Sequence, residues 1–111
     1  MIPQVRPSDF DDWLQAQAGT PLLLDVREPW EVQTARVAPQ GFDVVAIPMN
    51  EIPARLAELP QDRPIACLCH HGARSQRVAL FLAQQGYSDV ANVAGGIDAW
   101  ARERDPGIPV Y

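Results

Sequence analysis

Short apolar segments alternate with helix-like segments along most of the chain. The apolar segments show little of the alternation expected of half-buried strands, which is typical of parallel strands covered on both faces. This order predicts an α/β fold with a mostly parallel sheet, built as a single domain over residues 1–111. The expected strands are residues 22–26, 43–47, 64–69 and 90–93, with a further strand near residues 4–5 to complete the sheet.

Helical segments fill the intervals between these strands. Ser8 and Asp11 have capping-box spacing ahead of Trp13 and Leu14, which predicts the start of a first helix. Gly86 is the expected left-handed end of the longest helix. The expected helices cover about residues 9–17, 28–32 and 50–59, then run from 74 or 75 to 86, and the last follows Gly95-Gly96.

The charge balance restricts the kinds of partner. Nine basic and fourteen acidic residues give a formal net charge of −5, and every basic residue is Arg. A broad basic face for nucleic acid is therefore not expected. A protein of this charge that binds a small anion must create positive potential locally, from a few arginines and oriented backbone amides.

Targeting signals are not evident in the sequence. No apolar run approaches the roughly 20 residues that a membrane span needs. The first residues lack a basic stretch followed by an apolar run, as an export signal requires. We therefore expect a cytoplasmic protein without a membrane partner.

The strongest candidate for chemistry is Cys69, at the end of a predicted strand and just before a predicted helix. Ligand sites in open α/β sheets lie beyond the carboxyl ends of strands, and backbone amides leading into a helix form an anion cradle. Residues 70–75 are placed to supply such amides, and Gly72 would allow close backbone approach. The amides and Arg74 would stabilise a thiolate and bind an oxyanion. Read alone, Cys69 could equally be a small buried core residue.

Neighbouring residues have weaker signals. Asp25 and Arg27 are expected to form an ion pair that supports the loop from beneath. His70 and His71 could tune the thiolate, but we expect them to contribute mainly their backbone amides. Cys67 is expected in the core; it could instead resolve an oxidised nucleophile, or bind zinc with the loop cysteine and histidines. Zinc sites usually draw ligands from two separated pairs, so no metal is expected.

Five short motifs occur in one order over nearly the whole chain. They are Leu24-Asp25-Val26-Arg27-Glu28-Pro29, Ile47-Pro48-Met49, Cys69-His70-His71-Gly72-Ala73-Arg74-Ser75, Gly86-Tyr87 and Val93-Ala94-Gly95-Gly96-Ile97-Asp98-Ala99-Trp100. Together they closely resemble the rhodanese homology family. The resemblance implies a central five-stranded, mostly parallel sheet flanked by helices, and a sulfurtransferase without a metal or organic cofactor.

The resemblance also implies a reaction. Cys69 would take sulfane sulfur from a small anionic donor such as thiosulfate, form a persulfide, and pass the sulfur to cyanide, a thiol or a partner protein. The substrate-binding residues would be those of the loop, with Arg74 orienting the donor and the others supplying amides. These residues are His70, His71, Gly72, Ala73, Arg74 and Ser75.

Other functions fit parts of the pattern. A phosphatase or arsenate reductase on this fold also uses a cysteine and an arginine, but four residues rather than five separate Cys69 from Arg74 here. A non-catalytic interaction module would tend to lose the nucleophile, and a sulfur carrier for a protein acceptor would keep it. Residues 35–42 depart from the family pattern, which removes any basis for inferring a partner from that surface.

Overall fold

The computed structural model describes all 111 residues and contains one five-stranded sheet in the order β1-β5-β4-β2-β3. All four strand pairings are parallel, which confirms the α/β fold expected from the sequence. No helix is both long enough and apolar enough to cross a membrane. The strands are β1 (Gln4–Val5), β2 (Leu22–Asp25), β3 (Asp43–Ala46), β4 (Ile65–Leu68) and β5 (Val90–Val93). The helices are α1 (Phe10–Gln15), α2 (Pro29–Thr34), α3 (Ala73–Gln84) and α4 (Gly96–Glu103).

Two apolar clusters lie on the two faces of the sheet. Cys67 and Cys69 belong to the cluster that includes the buried side chains of α3. Leu68 belongs to the other cluster, which includes Phe10 of α1 and Trp100 of α4. Successive side chains of a strand point to opposite faces, so a strand buried on both faces is apolar throughout. This accounts for the apolar runs of β2 and β4, whose residues are all buried. The one polar residue among them is Asp25, at the end of β2.

The prediction of a helix over residues 50–59 was wrong. Two short 3-10 turns, Met49–Glu51 and Leu56–Glu58, occupy this segment. Pro53 has no amide proton with which to continue the first turn as an α-helix. Leu59 is extended, with ψ 124°, as favoured for a residue that precedes a proline.

The capping box expected at Ser8 does not form. A 3-10 turn, Pro7–Asp9, precedes α1, and no side chain caps the helix that begins at Phe10. The amide of Ser8 donates instead to Glu103 Oε1, at 3.3 Å. Pro7 starts the turn, which places Ser8 inside it rather than at the helix start.

The strand at residues 43–47 is less buried than expected. β3 pairs only with β2 and lies at the edge of the sheet, where Asp43 and Ala46 are exposed. Its apolar run therefore predicted the strand but not the edge position. Ile47, directly after β3, is fully buried.

β4 is the middle strand, and its carboxyl end positions the candidate site. Cys69 follows β4 directly, and the turn to α3 passes through Gly72. Asp25 ends the neighbouring β2, and Asn92 lies on β5 at the other side. Three neighbouring strands thus bring polar side chains together at the carboxyl-terminal end of the sheet.

Candidate active site

The Cys69 sulfur lies in the turn between β4 and α3. The residue is 1% exposed, and Sγ accepts a hydrogen bond from the Gly72 backbone amide at 3.0 Å. The Ser75 hydroxyl oxygen lies 3.2 Å from Sγ. The sulfur thus has a backbone amide on one side and the first turn of α3 on the other.

Two glycines allow the loop to sit against α4. Gly72 has φ 111° and packs against the backbone of Gly95 and Val93. A side chain at Gly96 would place its Cβ 2.4 Å from the His70 carbonyl oxygen and 2.6 Å from that of Cys69. The start of α4 comes this close to the loop because its amides donate hydrogen bonds to these two carbonyls. The carbonyls follow the end of β4 and would otherwise lack a backbone donor. The bonds are Ile97 N to Cys69 O at 2.8 Å and Asp98 N to His70 O at 3.1 Å.

Asn92 connects three parts of the site, and the sequence did not point to it. Its Oδ1 lies 2.5 Å from the Ser75 hydroxyl, and its Nδ2 donates to Gly72 O at 3.2 Å and to Gln4 Oε1 at 2.9 Å. Asn92 is 2% exposed, and every polar atom of its side chain has a partner. A polar residue in an apolar strand was the available signal, because buried amides need such partners.

Arg74 is held by a carboxylate. Its Nη1 and Nη2 donate to the two carboxylate oxygens of Glu31 at 2.7 and 2.8 Å, a bidentate ion pair. The side chain of Arg74 is 31% exposed, whereas that of Glu31 is 4% exposed. Glu31 lies on α2 and was not singled out from the sequence. The pairing partner of Arg74 is thus a buried acid on another helix.

Asp25 and Arg27 form the buried ion pair that the sequence suggested. Arg27 Nη2 lies 2.6 Å from Asp25 Oδ2, and Nε donates to Oδ1 at 2.9 Å. The remaining guanidinium donors bind the backbone carbonyls of Glu31 and Ala35 at 3.2 and 2.7 Å. Arg27 therefore holds the carboxyl-terminal turn of α2, the helix that carries Glu31.

Tyr111 joins the two ion pairs. Its hydroxyl donates to Glu31 Oε1 at 2.9 Å and accepts from Arg27 Nη1 at 2.9 Å. Its ring stacks on His70 with the centroids 4.0 Å apart, and His70 stacks in turn on His71 at 3.9 Å. No periodic pattern marks this tail in the sequence, and only the fold brings it to the site.

The titratable groups around Cys69 have shifted pKa values. Hydrogen bonds from Arg74 are the main cause that lowers the pKa of Glu31 to about 2. Burial, followed by the neighbouring His71 ring, lowers the pKa of His70. Burial, with a contribution from Cys69, raises the pKa of Cys67 to about 12. At neutral pH, Glu31 is ionised and Cys67 is a thiol.

The other residues of the loop differ in burial. His70 is half-buried, His71 and Ala73 are exposed, and Ser75 is fully buried. Cys67 is fully buried in the core, and it does not form a cluster of potential metal ligands with the two histidines. Cys69 is therefore the cysteine at the loop.

Comparison with known proteins identifies the family. The sequence model of the rhodanese-like domain matches residues 7–103. The chain belongs to the rhodanese-like family. It is 42% identical over 108 residues to a sulfurtransferase from Allochromatium vinosum, covering 96% of this chain and 94% of that protein.

Two further rhodanese-like proteins extend the comparison. The thiosulfate sulfurtransferase GlpE of Pseudomonas syringae is 34% identical, with 71% of each chain covered. The crystal structure of a rhodanese-related protein from Thermoplasma volcanium superposes with a TM-score of 0.79 at 29% identity, covering 98% of this chain and 99% of that one. The rhodanese resemblance inferred from the motifs is confirmed, and the relatives support sulfur transfer as the general activity.

Proposed function

We propose that this protein transfers sulfane sulfur through a persulfide on Cys69. The Cys69 thiolate attacks the outer sulfur of thiosulfate, and a new sulfur–sulfur bond forms as the bond to the sulfonate sulfur breaks. Sulfite leaves with the bonding electron pair. The terminal sulfur of the persulfide then passes to cyanide as thiocyanate, or to a thiolate as a new persulfide, and the Cys69 thiolate is regenerated.

The observation that carries this proposal is the hydrogen bond from the Gly72 amide to Cys69 Sγ, at 3.0 Å, in the turn before α3. An amide and a helix start favour an anionic sulfur and the negative charge of a bound donor. In this proposal the amides of residues 70–75 surround the outer sulfur. Asp25 and Arg27 hold α2 in place and do not contact the reacting atoms.

Thiosulfate is proposed as a donor because a relative named thiosulfate sulfurtransferase shares 34% identity with this chain. A cellular thiol or a partner protein is the proposed acceptor in place of cyanide. The reaction itself requires only the cysteine and its two substrates, and each of the two steps conserves charge.

Intact mass spectrometry tests the proposal. After incubation with thiosulfate, the wild-type protein is expected to gain the mass of one sulfur atom. The gain should disappear in Cys69→Ser and persist in Cys67→Ser, because the Cys67 thiol is fully buried and stays protonated at neutral pH. Added cyanide should remove the sulfur and yield thiocyanate.

Three other results would contradict this assignment. No sulfur gain with any sulfane donor would overturn the proposed function, and loss of the gain only in Cys67→Ser would identify the other thiol. Hydrolysis of an aryl phosphate without sulfur transfer would assign the loop to a phosphatase instead.

A further inference from the structure

Glu31 cancels the charge of the arginine closest in sequence to the reactive cysteine. Both oxygens of its carboxylate accept hydrogen bonds from Arg74, so the pair has no net charge. The carboxylate is also held by the Glu28 backbone amide at 2.9 Å and by the Tyr111 hydroxyl at 2.9 Å. Four donors therefore fix this acid in place.

The Glu31 carboxylate is ionised over the whole physiological range. Arg74 holds the pKa of Glu31 near 2, and the side chain is only 4% exposed. Water and salt therefore screen the pair less than they would screen a pair on the surface. Its negative charge acts on the site at every pH at which a cysteine thiolate exists.

Arg27, the other arginine of this network, brings no unpaired charge either. Arg27 is fully buried and is paired with Asp25 at 2.6 Å, so the second arginine of the network is also balanced. The chain contains no lysine and has a net charge of −5. Neither arginine of this network therefore offers an unpaired charge to an anion at Cys69, whereas backbone dipoles still act there over a short range.

From this balance we infer that Glu31 is a specificity-determining residue that sets the charge of the preferred sulfur donor. By neutralising Arg74, it removes the advantage that a dianion such as thiosulfate would have at a cationic site. The site accordingly favours sulfane donors of lower charge, such as organic thiosulfonates and organic persulfides. This inference rests on the proposed sulfur transfer and concerns only which donor is used.

A donor pair that differs in charge makes the inference measurable. Thiosulfate is a dianion and benzenethiosulfonate is a monoanion, and both carry a sulfane sulfur on an oxidised sulfur. With the monoanion, the Cys69 thiolate forms the same persulfide, and benzenesulfinate leaves with the bonding electrons. The ratio of kcat/KM for thiosulfate to kcat/KM for benzenethiosulfonate, with cyanide as acceptor, reports charge preference and cancels general losses of activity.

The first variant is Glu31→Gln, which keeps the size of the side chain and releases the charge of Arg74. Electrostatic attraction scales with donor charge, so kcat/KM should rise by about tenfold for thiosulfate and about threefold for benzenethiosulfonate. The ratio should therefore rise by about threefold, and added salt should reduce this gain. Loss of a merely structural contact would lower both values without changing their ratio or its dependence on salt.

Glu58→Gln is the matched control. Glu58 makes a similar two-bond pair with Arg55, at 2.8 and 2.9 Å, but both side chains are exposed. The charge change is identical, while solvent screens it and neither residue belongs to the cysteine loop. The donor ratio of this variant should equal that of the wild type.

The double variant Glu31→Gln with Arg74→Gln gives a second test that does not depend on a free arginine in the site. Two glutamines can hydrogen bond to each other, and the pair is neutral as in the wild type. Its donor ratio should lie within about twofold of the wild-type value, whereas Arg74→Gln alone leaves an unbalanced carboxylate and should lower the ratio by about threefold.

Two results would overturn the inference. One is a donor ratio in Glu31→Gln that is unchanged or lower; the other is a double variant as poor toward thiosulfate as Arg74→Gln alone, which would make Arg74 a direct donor ligand. Failure of the proposed function is distinguishable, because the wild type would then gain no sulfur from either donor.

Discussion

Ser75 has one hydroxyl proton and three acceptors within reach. Asn92 Oδ1 lies at 2.5 Å, whereas Cys69 Sγ and Gly72 O lie at 3.2 and 3.3 Å. Asn92 donates from Nδ2 to Gly72 O and Gln4, which turns its oxygen toward Ser75. The hydroxyl proton therefore goes to Asn92, and Asn92 holds both the loop glycine and the serine beside the sulfur.

Asn92→Ala should remove the nearest acceptor of the Ser75 hydroxyl and one of the donors to the Gly72 carbonyl. Each lost intramolecular hydrogen bond typically costs about 0.5–1.5 kcal/mol, so the free energy of unfolding should fall by about 1–3 kcal/mol. The rate of sulfur uptake at Cys69 should fall as well, because Gly72 and Ser75 lose their common support. Urea denaturation and time-resolved intact mass measure the two effects.

Gln4→Ala is the control for Asn92, since it removes only the outer partner of the same amide. Gln4 is exposed, and water can replace it. Its unfolding free energy should change by no more than about 0.5 kcal/mol. Equal behaviour of the two variants would contradict a positioning role for Asn92.

At the scale of elements, α4 holds the β4–α3 loop by its amino end. The amides of Ile97 and Asp98 donate to the carbonyls of Cys69 and His70, and Gly96 makes this approach possible with φ 63°. Gly96→Ala would bring Cβ to 2.4 Å from a backbone oxygen that belongs to the loop. The helix and the loop would have to separate, so we expect a loss of at least about 3 kcal/mol in unfolding free energy and near-complete loss of sulfur uptake.

Gly86→Ala is the control, because it introduces backbone strain without a close contact. Gly86 also has a positive φ, 97°, but a Cβ there would meet no atom within 4 Å. We expect a cost of about 1–2 kcal/mol for the left-handed backbone and normal sulfur uptake. If both variants lost activity equally, the close approach of α4 to the loop would not be the reason.

For the whole molecule, local patterns predicted the strands and the cysteine loop because their determinants are contiguous. Residues 69–75 follow one another, so the amide, the thiol and the first turn of α3 were visible together. Contacts between residues far apart in the sequence could not be predicted in this way. Arg74 and Glu31 are 43 positions apart and Glu31 and Tyr111 are 80 apart, so no periodicity relates them. The helix expected at 50–59 does not form, because Pro53 has no amide proton with which to continue the turn that begins at Met49.

The same long-range network should make stability depend on pH. The pKa of Glu31 is about 2 in the folded protein and near 4.5 when unfolded, so its folded pKa is depressed. Its ion pair therefore contributes stability that is fully present above about pH 4.5 and is lost as the pH falls toward 2. A pKa shift of this size corresponds to about 3 kcal/mol of unfolding free energy. The Glu31 side chain is only 4% exposed, so solvent screening should reduce this contribution little.

Urea denaturation at a series of pH values tests this contribution. The difference in unfolding free energy between the wild type and Glu31→Gln should be large at neutral pH and should shrink as the pH falls from about 4.5 toward 2. Glu58→Gln should show a small and nearly constant difference, since the Glu58 pair with Arg55 is exposed to solvent. A difference for Glu31→Gln that stayed constant over this range would mean that packing or neutral hydrogen bonds, and not the ionised carboxylate, hold α2 against the cysteine loop.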